Sequence, residues 1–208
     1  MASPTIDFPL SNNTVDVRLV DTTALLTARA ESFIEPVQEG HEVLNITCAA
    51  FLIHHEPSGK RIMFDLGVRK DYWNLSATIQ KRLGDVIPSL KVDKDTTEVL
   101  TEKGVPLDSI WNMSLFPPST ELIVGPGFKA SPLLLPGSPE KPDSPVCTSD
   151  FHGRSLREVD FEDSDLQIGG FAAYNFFGDG SFYLLSEAKY FHFYLHPWGI
   201  TLSTPDAD

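Results

Sequence analysis

The sequence predicts an α+β fold, and three stretches carry that expectation. Residues 46–53 and 61–66 are apolar runs separated by Pro57-Ser58-Gly59, which reads as a buried β-hairpin. Asp95, then Glu98, Val99 and Leu100, then Gly104 and Pro106, supply the cap, the apolar side and the stop of a helix. Gly178-Asp179-Gly180 ahead of Ser181-Phe182-Tyr183-Leu184-Leu185 is a turn feeding a further hairpin strand.

The other elements follow in chain order. Residues 1–14 are polar and expected to form a flexible N-terminus. Val15-Asp16-Val17-Arg18-Leu19-Val20 alternates with period two, as a half-buried strand does. Trp73, Ile79 and Leu83 sit among polar residues at loose helical spacing, suited to covering one sheet face. Glu121–Val124 reads as a short strand, and 125–145 as a long loop rich in Pro, Gly and Ser. Within that loop Leu133-Leu134-Leu135 favours docking over free movement. Residues 155–161 and 166–174 read as strands. The resulting division is a flexible 1–14, a domain over 15–185, and a divergent C-terminal tail over 186–208 whose Tyr190–Trp198 stretch is strongly aromatic.

Composition bounds the function. The 208 residues suffice for one domain with a sizeable core, and 41% hydrophobic with 22% charged residues is globular rather than disordered. A net charge of −13, from 16 basic and 29 acidic side chains with no Lys/Arg block, excludes nucleic acid and disfavours anionic membranes. The N-terminus has neither the basic region nor the apolar core of a signal peptide, and no apolar run approaches the roughly 20 residues that span a bilayer. Two cysteines, Cys48 and Cys147, make neither a disulfide framework nor a zinc ribbon. The expectation is a reduced, cytoplasmic protein whose sequons at Asn12, Asn45, Asn74 and Asn112 go unused.

Several site readings fail on spacing. His54 and His55 are adjacent in a strand, so their side chains face opposite ways and cannot share an ion. His192 and His196 would share a helix face, but their aromatic neighbours favour a strand, which sets them about 13 Å apart. Gly125-Pro126-Gly127-Phe128-Lys129-Ala130 fits a dinucleotide fingerprint only if a helix starts there, and Pro126 and Pro132 oppose it. No G-x-S-x-G elbow or phosphate-binding G-x-x-x-x-G-K-[ST] loop occurs.

The hairpin closes on Asp65-Leu66-Gly67 and continues as Val68-Arg69-Lys70. It is followed in order by Gly104–Ile110, Asn112–Pro117, Glu121–Lys129 and Phe177–Leu185. As a set these segments resemble the metallo-β-lactamase superfamily, closest to its fungal and bacterial lactonase-like branch. The resemblance implies an αββα sandwich, here incomplete. It also implies zinc-dependent hydrolysis of lactones, esters, thioesters or amides.

The family's His-x-His-x-Asp-His strand should lie between Ile110 and the Asn112–Pro117 segment, yet Ile110 passes through Trp111 straight to Asn112. The next expected ligand, in an Asp-x-Pro-Gly-His context, is replaced by Ser186-Glu187-Ala188-Lys189, and the later ligands have no counterpart before Asp208. A catalytic zinc takes about three protein ligands and lowers the pKa of its water to roughly 7. With those positions gone, the expectation is no catalytic residue, no metal ligand, no zinc bound by this chain and negligible hydrolase activity. Asp65 is the one candidate site residue. The resemblance places it behind the metal ligands as their support, whereas the residues alone suit a carboxylate accepting backbone N–H groups at a strand end. Without ligands to support, the backbone role is favoured. The alternatives are a non-catalytic binding or regulatory module, self-associating through an open sheet edge or the aromatic tail, and an unstable partial product.

Overall fold

The computed structural model describes residues 9–111, 119–161 and 164–186. The tail with His192 and His196, and the segment just after Trp111, lie outside those residues.

The largest sheet is built from β1 (Asp16–Arg29), β2 (Val43–His55), β3 (Lys60–Phe64), β4 (Ser89–Val92) and β5 (Ile110–Trp111) in the order β4-β1-β2-β3-β5. All neighbours are antiparallel except β3 and β5, which pair in parallel over two residues. The alternation read at Val15–Val20 marks only the first part of a 14-residue strand. Two extra residues of β1, Thr22 and Thr23, bulge between Asp21↔Ala49 and Ala24↔Cys48. Beyond the bulge the strand recovers its pairing with both β2 and β4.

Two helices cover one face. In α1 (Ala77–Val86), Ile79 and Leu83 are buried against Ala24, Leu26, Ala28 and Val68. Trp73, grouped with these by sequence, is exposed in the preceding 3₁₀ turn, because the helix starts only at the Ser76 cap. In α2 (Thr96–Glu102), Asp95 accepts from the Glu98 N–H while Glu98 accepts from the Asp95 N–H, both at 3.0 Å, the reciprocal cap that the sequence predicts. Leu100 packs on Val20, Ala50, Leu52 and Met63, and Gly104, at φ 70, ends the element in the left-handed region.

The rest of the chain forms smaller units. β6 (Leu122–Val124) pairs in parallel with β7 (Leu156–Glu158). Between them the Pro-rich loop folds back on a core of Leu122, Val124, Phe128, Leu134 and Val146, joined by Phe151 of α3 (Thr148–Phe151). The loop is therefore docked. The buried Ser76 hydroxyl donates to the Pro145 carbonyl at 3.0 Å and Thr78 donates to that of Asp143 at 3.1 Å. No helix opens at Gly125–Ala130, where the chain turns instead. β8 (Gln167–Ile168), β9 (Phe171–Asn175) and β10 (Tyr183–Leu185) make a three-stranded antiparallel sheet, its β9–β10 hairpin closed around Asp179-Gly180.

This small sheet packs on the second face of the large one. Ile53 and Ile62 point away from the helices and meet Phe176, with Tyr174, Phe177, Phe182 and Leu184 around them. The layers thus run helix, sheet, sheet. The small sheet leaves part of that second face open: Leu19 of β1, Phe51 of β2 and Phe64 of β3 lie side by side in register and are exposed.

Candidate functional site

Asp65 leaves β3 at φ 61, a left-handed conformation unusual for a residue with a side chain. Its Oδ1 accepts the N–H groups of Leu66 at 2.5 Å and Gly67 at 2.9 Å, so the carboxylate caps the turn it sits in. Gly67, at φ 59, lies so close to Thr22 that a Cβ would sit 2.5 Å from its Cγ2. Thr22 in turn donates to the Cys48 carbonyl at 2.9 Å, and Thr96 at the start of α2 donates to the Leu66 carbonyl at 2.5 Å. Both threonines are fully buried. The strand end, the β1 bulge and the α2 N-terminus are thereby tied together through backbone groups. Burial, and then the charge of Asp65, push the Cys48 thiol up to about 11. At neutral pH that sulfur is a protonated thiol and a weak nucleophile.

The second cluster centres on His55. Strand alternation sends His54 to the helix-covered side, half-buried, and His55 to the second face, where it is buried to 4% exposure. The His55 ring stacks on Phe177, with centroids 4.2 Å apart and planes 10° from parallel. Its Nδ1 lies 2.7 Å from Ser58 Oγ and its Nε2 lies 2.7 Å from Asp179 Oδ2. Asp179 Oδ1 also accepts from the Ser181 hydroxyl at 2.6 Å and the Ser181 N–H at 3.1 Å, and Oδ2 from Asn13 Nδ2 at 2.9 Å. The Ser181 hydroxyl foremost, together with the other donors, holds the Asp179 carboxyl far below the usual carboxylate range. An ionised carboxylate only accepts, so Nε2 carries a hydrogen, and in the neutral ring that leaves Nδ1 to accept from Ser58.

Sequence reasoning separated His54 from His55 on strand geometry but gave Ser58 and Asp179 only turn roles. His55 and Asp179 are 124 positions apart, and nothing local in either segment signals the pairing. The turn residues do shape their turns. They also bring a hydroxyl and a carboxylate to opposite edges of one imidazole.

A catalytic zinc does not fit the donors that are described. Among the described residues no group of three or more His, Cys, Asp or Glu side chains comes together to hold an ion. His55 has both nitrogens engaged, His54 points to the other face, and Cys48 is a half-buried thiol with no second cysteine or histidine grouped with it among the described residues.

The layers and this site can be set beside known proteins. No protein-family profile matches the chain. A γ-lactamase of Fusarium pseudograminearum is 42% identical over 203 residues, which is 88% of this chain and 49% of the relative. A metallo-hydrolase of Annulohypoxylon moriforme is 39% identical over 199 residues, 88% of this chain and 51% of its own length. A solved quorum-quenching N-acyl homoserine lactone hydrolase aligns over 73% of this chain and 60% of that one, at 12% identity and a TM-score of 0.47, a likeness too distant to weigh. The similarity to these fungal proteins extends over most of this sequence. The similarity to these two relatives, one named a γ-lactamase and the other a metallo-hydrolase, supports the metallo-β-lactamase superfamily. The chain spans about half the length of these two curated relatives.

Proposed function

We propose that this chain is a metallo-β-lactamase-superfamily scaffold that binds no catalytic zinc of its own and so does not open lactams or lactones by metal-bound hydroxide. The observation that carries the reading is the donor set. His55, the one buried histidine among the described residues, has both ring nitrogens committed to Ser58 and Asp179, and the candidate Asp65 spends Oδ1 on two backbone N–H groups. The passage from Ile110 to Asn112 leaves no room for the His-x-His-x-Asp-His strand that the resemblance calls for. Zinc is the metal expected of the family, since one relative is named a metallo-hydrolase. The other is named a γ-lactamase, so γ-lactam ring opening is the activity to assay. Elemental analysis after purification in excess zinc should find only trace metal, and added zinc should leave the lactam and a matched lactone intact. Stoichiometric zinc with ring opening overturns the reading.

A second reading, a non-catalytic module that pairs with another copy of this chain, is favoured by the exposed Leu19, Phe51 and Phe64 on the second face, beside a sheet edge that two residues of β5 cover among the described residues. Contiguous exposed apolar surface next to an open edge is a site of association. The net charge of −13 supports partners other than nucleic acid or anionic membranes, and among the described residues no helix is long and apolar enough to cross a membrane. Two free thiols suit a reducing, cytoplasmic setting.

A further inference from the structure

We propose that Ser58 is a reactive nucleophile, activated by His55 and oriented through Asp179, that takes acyl or phosphonyl groups from activated esters and organophosphonates. The inference goes beyond the zinc-free reading above and does not depend on it. Three observations carry it. Ser58 Oγ lies 2.7 Å from His55 Nδ1, which is an acceptor for the hydroxyl proton when the neutral ring carries its hydrogen on Nε2. The far side of that imidazole donates at 2.7 Å to a carboxylate held ionised by three further donor contacts, which fixes tautomer and ring angle. Phe177 clamps the ring from one face, and Ser58 itself is exposed on the hairpin turn, within reach of a substrate. Hydroxyl, imidazole and carboxylate in line is the arrangement by which a weak oxygen nucleophile is activated. Here the hydroxyl uses Nδ1 and the carboxylate Nε2, the reverse of the serine-protease order, and either nitrogen can serve as the base.

The geometry also selects the substrate class. Of the backbone donors beside Ser58, the Gly59 N–H is spent on the Glu56 carbonyl at 3.1 Å and the Lys60 N–H on Ser58 Oγ itself at 3.4 Å, so neither is held ready for an oxyanion. Stabilising that developing charge is usually the largest catalytic term, so unactivated amides lie outside the site's power. Esters with good leaving groups, and fluorophosphonates, need less help. With a fluorophosphonate, Oγ attacks phosphorus, the Oγ–P bond forms, the P–F bond breaks with loss of fluoride, and the Oγ proton moves to His55 Nδ1. With an aryl ester the acyl carbon takes the place of phosphorus and a phenolate departs.

The test treats the folded chain with a fluorophosphonate and follows each labelled peptide by mass spectrometry. Ser58 should label about 100-fold faster than the exposed Ser89, the low end of what a positioned base contributes. Ser58→Ala should abolish the label at this peptide. Because His55 is buried, a His55 variant risks misfolding, so Asp179→Asn is the decisive change. It is nearly isosteric and should slow Ser58 labelling by about 100-fold or more, as a wrong tautomer does. It should also remove the downfield imidazole N–H proton resonance while leaving the circular dichroism spectrum intact. Labelling of Ser58 no faster than Ser89 in the folded wild type overturns the proposal. So does an undiminished rate in folded Asp179→Asn.

Discussion

At Gly67 two constraints coincide, a φ of 59 and a Cβ position 2.5 Å from Thr22 Cγ2. The Thr22 methyl has little room to move, since its hydroxyl is held by the Cys48 carbonyl. Gly67→Ala is therefore expected to destabilise the fold by about 2 kcal/mol or more, combining backbone strain with overpacking. A lower urea midpoint at unchanged slope would show it. Asp65→Ala should cost about 1–3 kcal/mol by the same measurement, because it strands the N–H groups of Leu66 and Gly67. A loss below a few tenths of a kcal/mol would mean that water replaces the carboxylate. Gly67 was legible in the sequence as a glycine closing a strand, but not the threonine it must accommodate. That partner lies in a bulge which no local pattern announces.

The helix α2 shows what sequence does make visible. Its cap, apolar side and exit are all written within twelve consecutive residues, and the structure places each where the pattern puts it. Asp95→Ala should lower stability by about 1 kcal/mol through loss of the reciprocal cap, read from thermal or urea unfolding. Strand β4, by contrast, went unread. Ser89–Val92 alternates but is only four residues long, and it is a strand because β1 runs on past its bulge and offers an edge to pair with. The second half of β1 was hidden for the same reason, since Asp21-Thr22-Thr23 breaks the alternation that marks the first half. Local chemistry announces caps and turns, while pairing partners far along the chain decide the rest.

For the molecule as a whole, acid should unfold the chain progressively. Asp179, Asp71 and Glu98 have ordinary values of 3.8, 3.8 and 4.5, and each is lowered in the folded state, by Ser181, Arg69 and Lys70 first. A group whose folded value is depressed stabilises the fold above its unfolded value and loses that contribution as pH falls through the folded one. Stability to urea should thus be flat near neutrality and decline as the pH drops below about 4.5. A curve flat down to pH 3 would contradict those pairings. A sharp cooperative melt at pH 7 would set aside the view of this chain as an unstable partial product. The layered order of helices and sheets follows from alternation along β2 and β3. The junction of Ser58, His55 and Asp179 does not, because it exists only once the β9–β10 turn lies against the first hairpin.

The bulge in β1 inserts two residues, not one. Because side chains alternate strictly along a strand, an even insertion returns Ala24, Leu26 and Ala28 to the helix-covered side that Val20 already faces. Losing a single codon at position 22 or 23 would turn those small apolar groups to solvent and drive Leu25, Thr27 and Arg29 inward against α1. Losing both would shorten the strand and keep its parity. Natural length variation at this place should accordingly occur in steps of two.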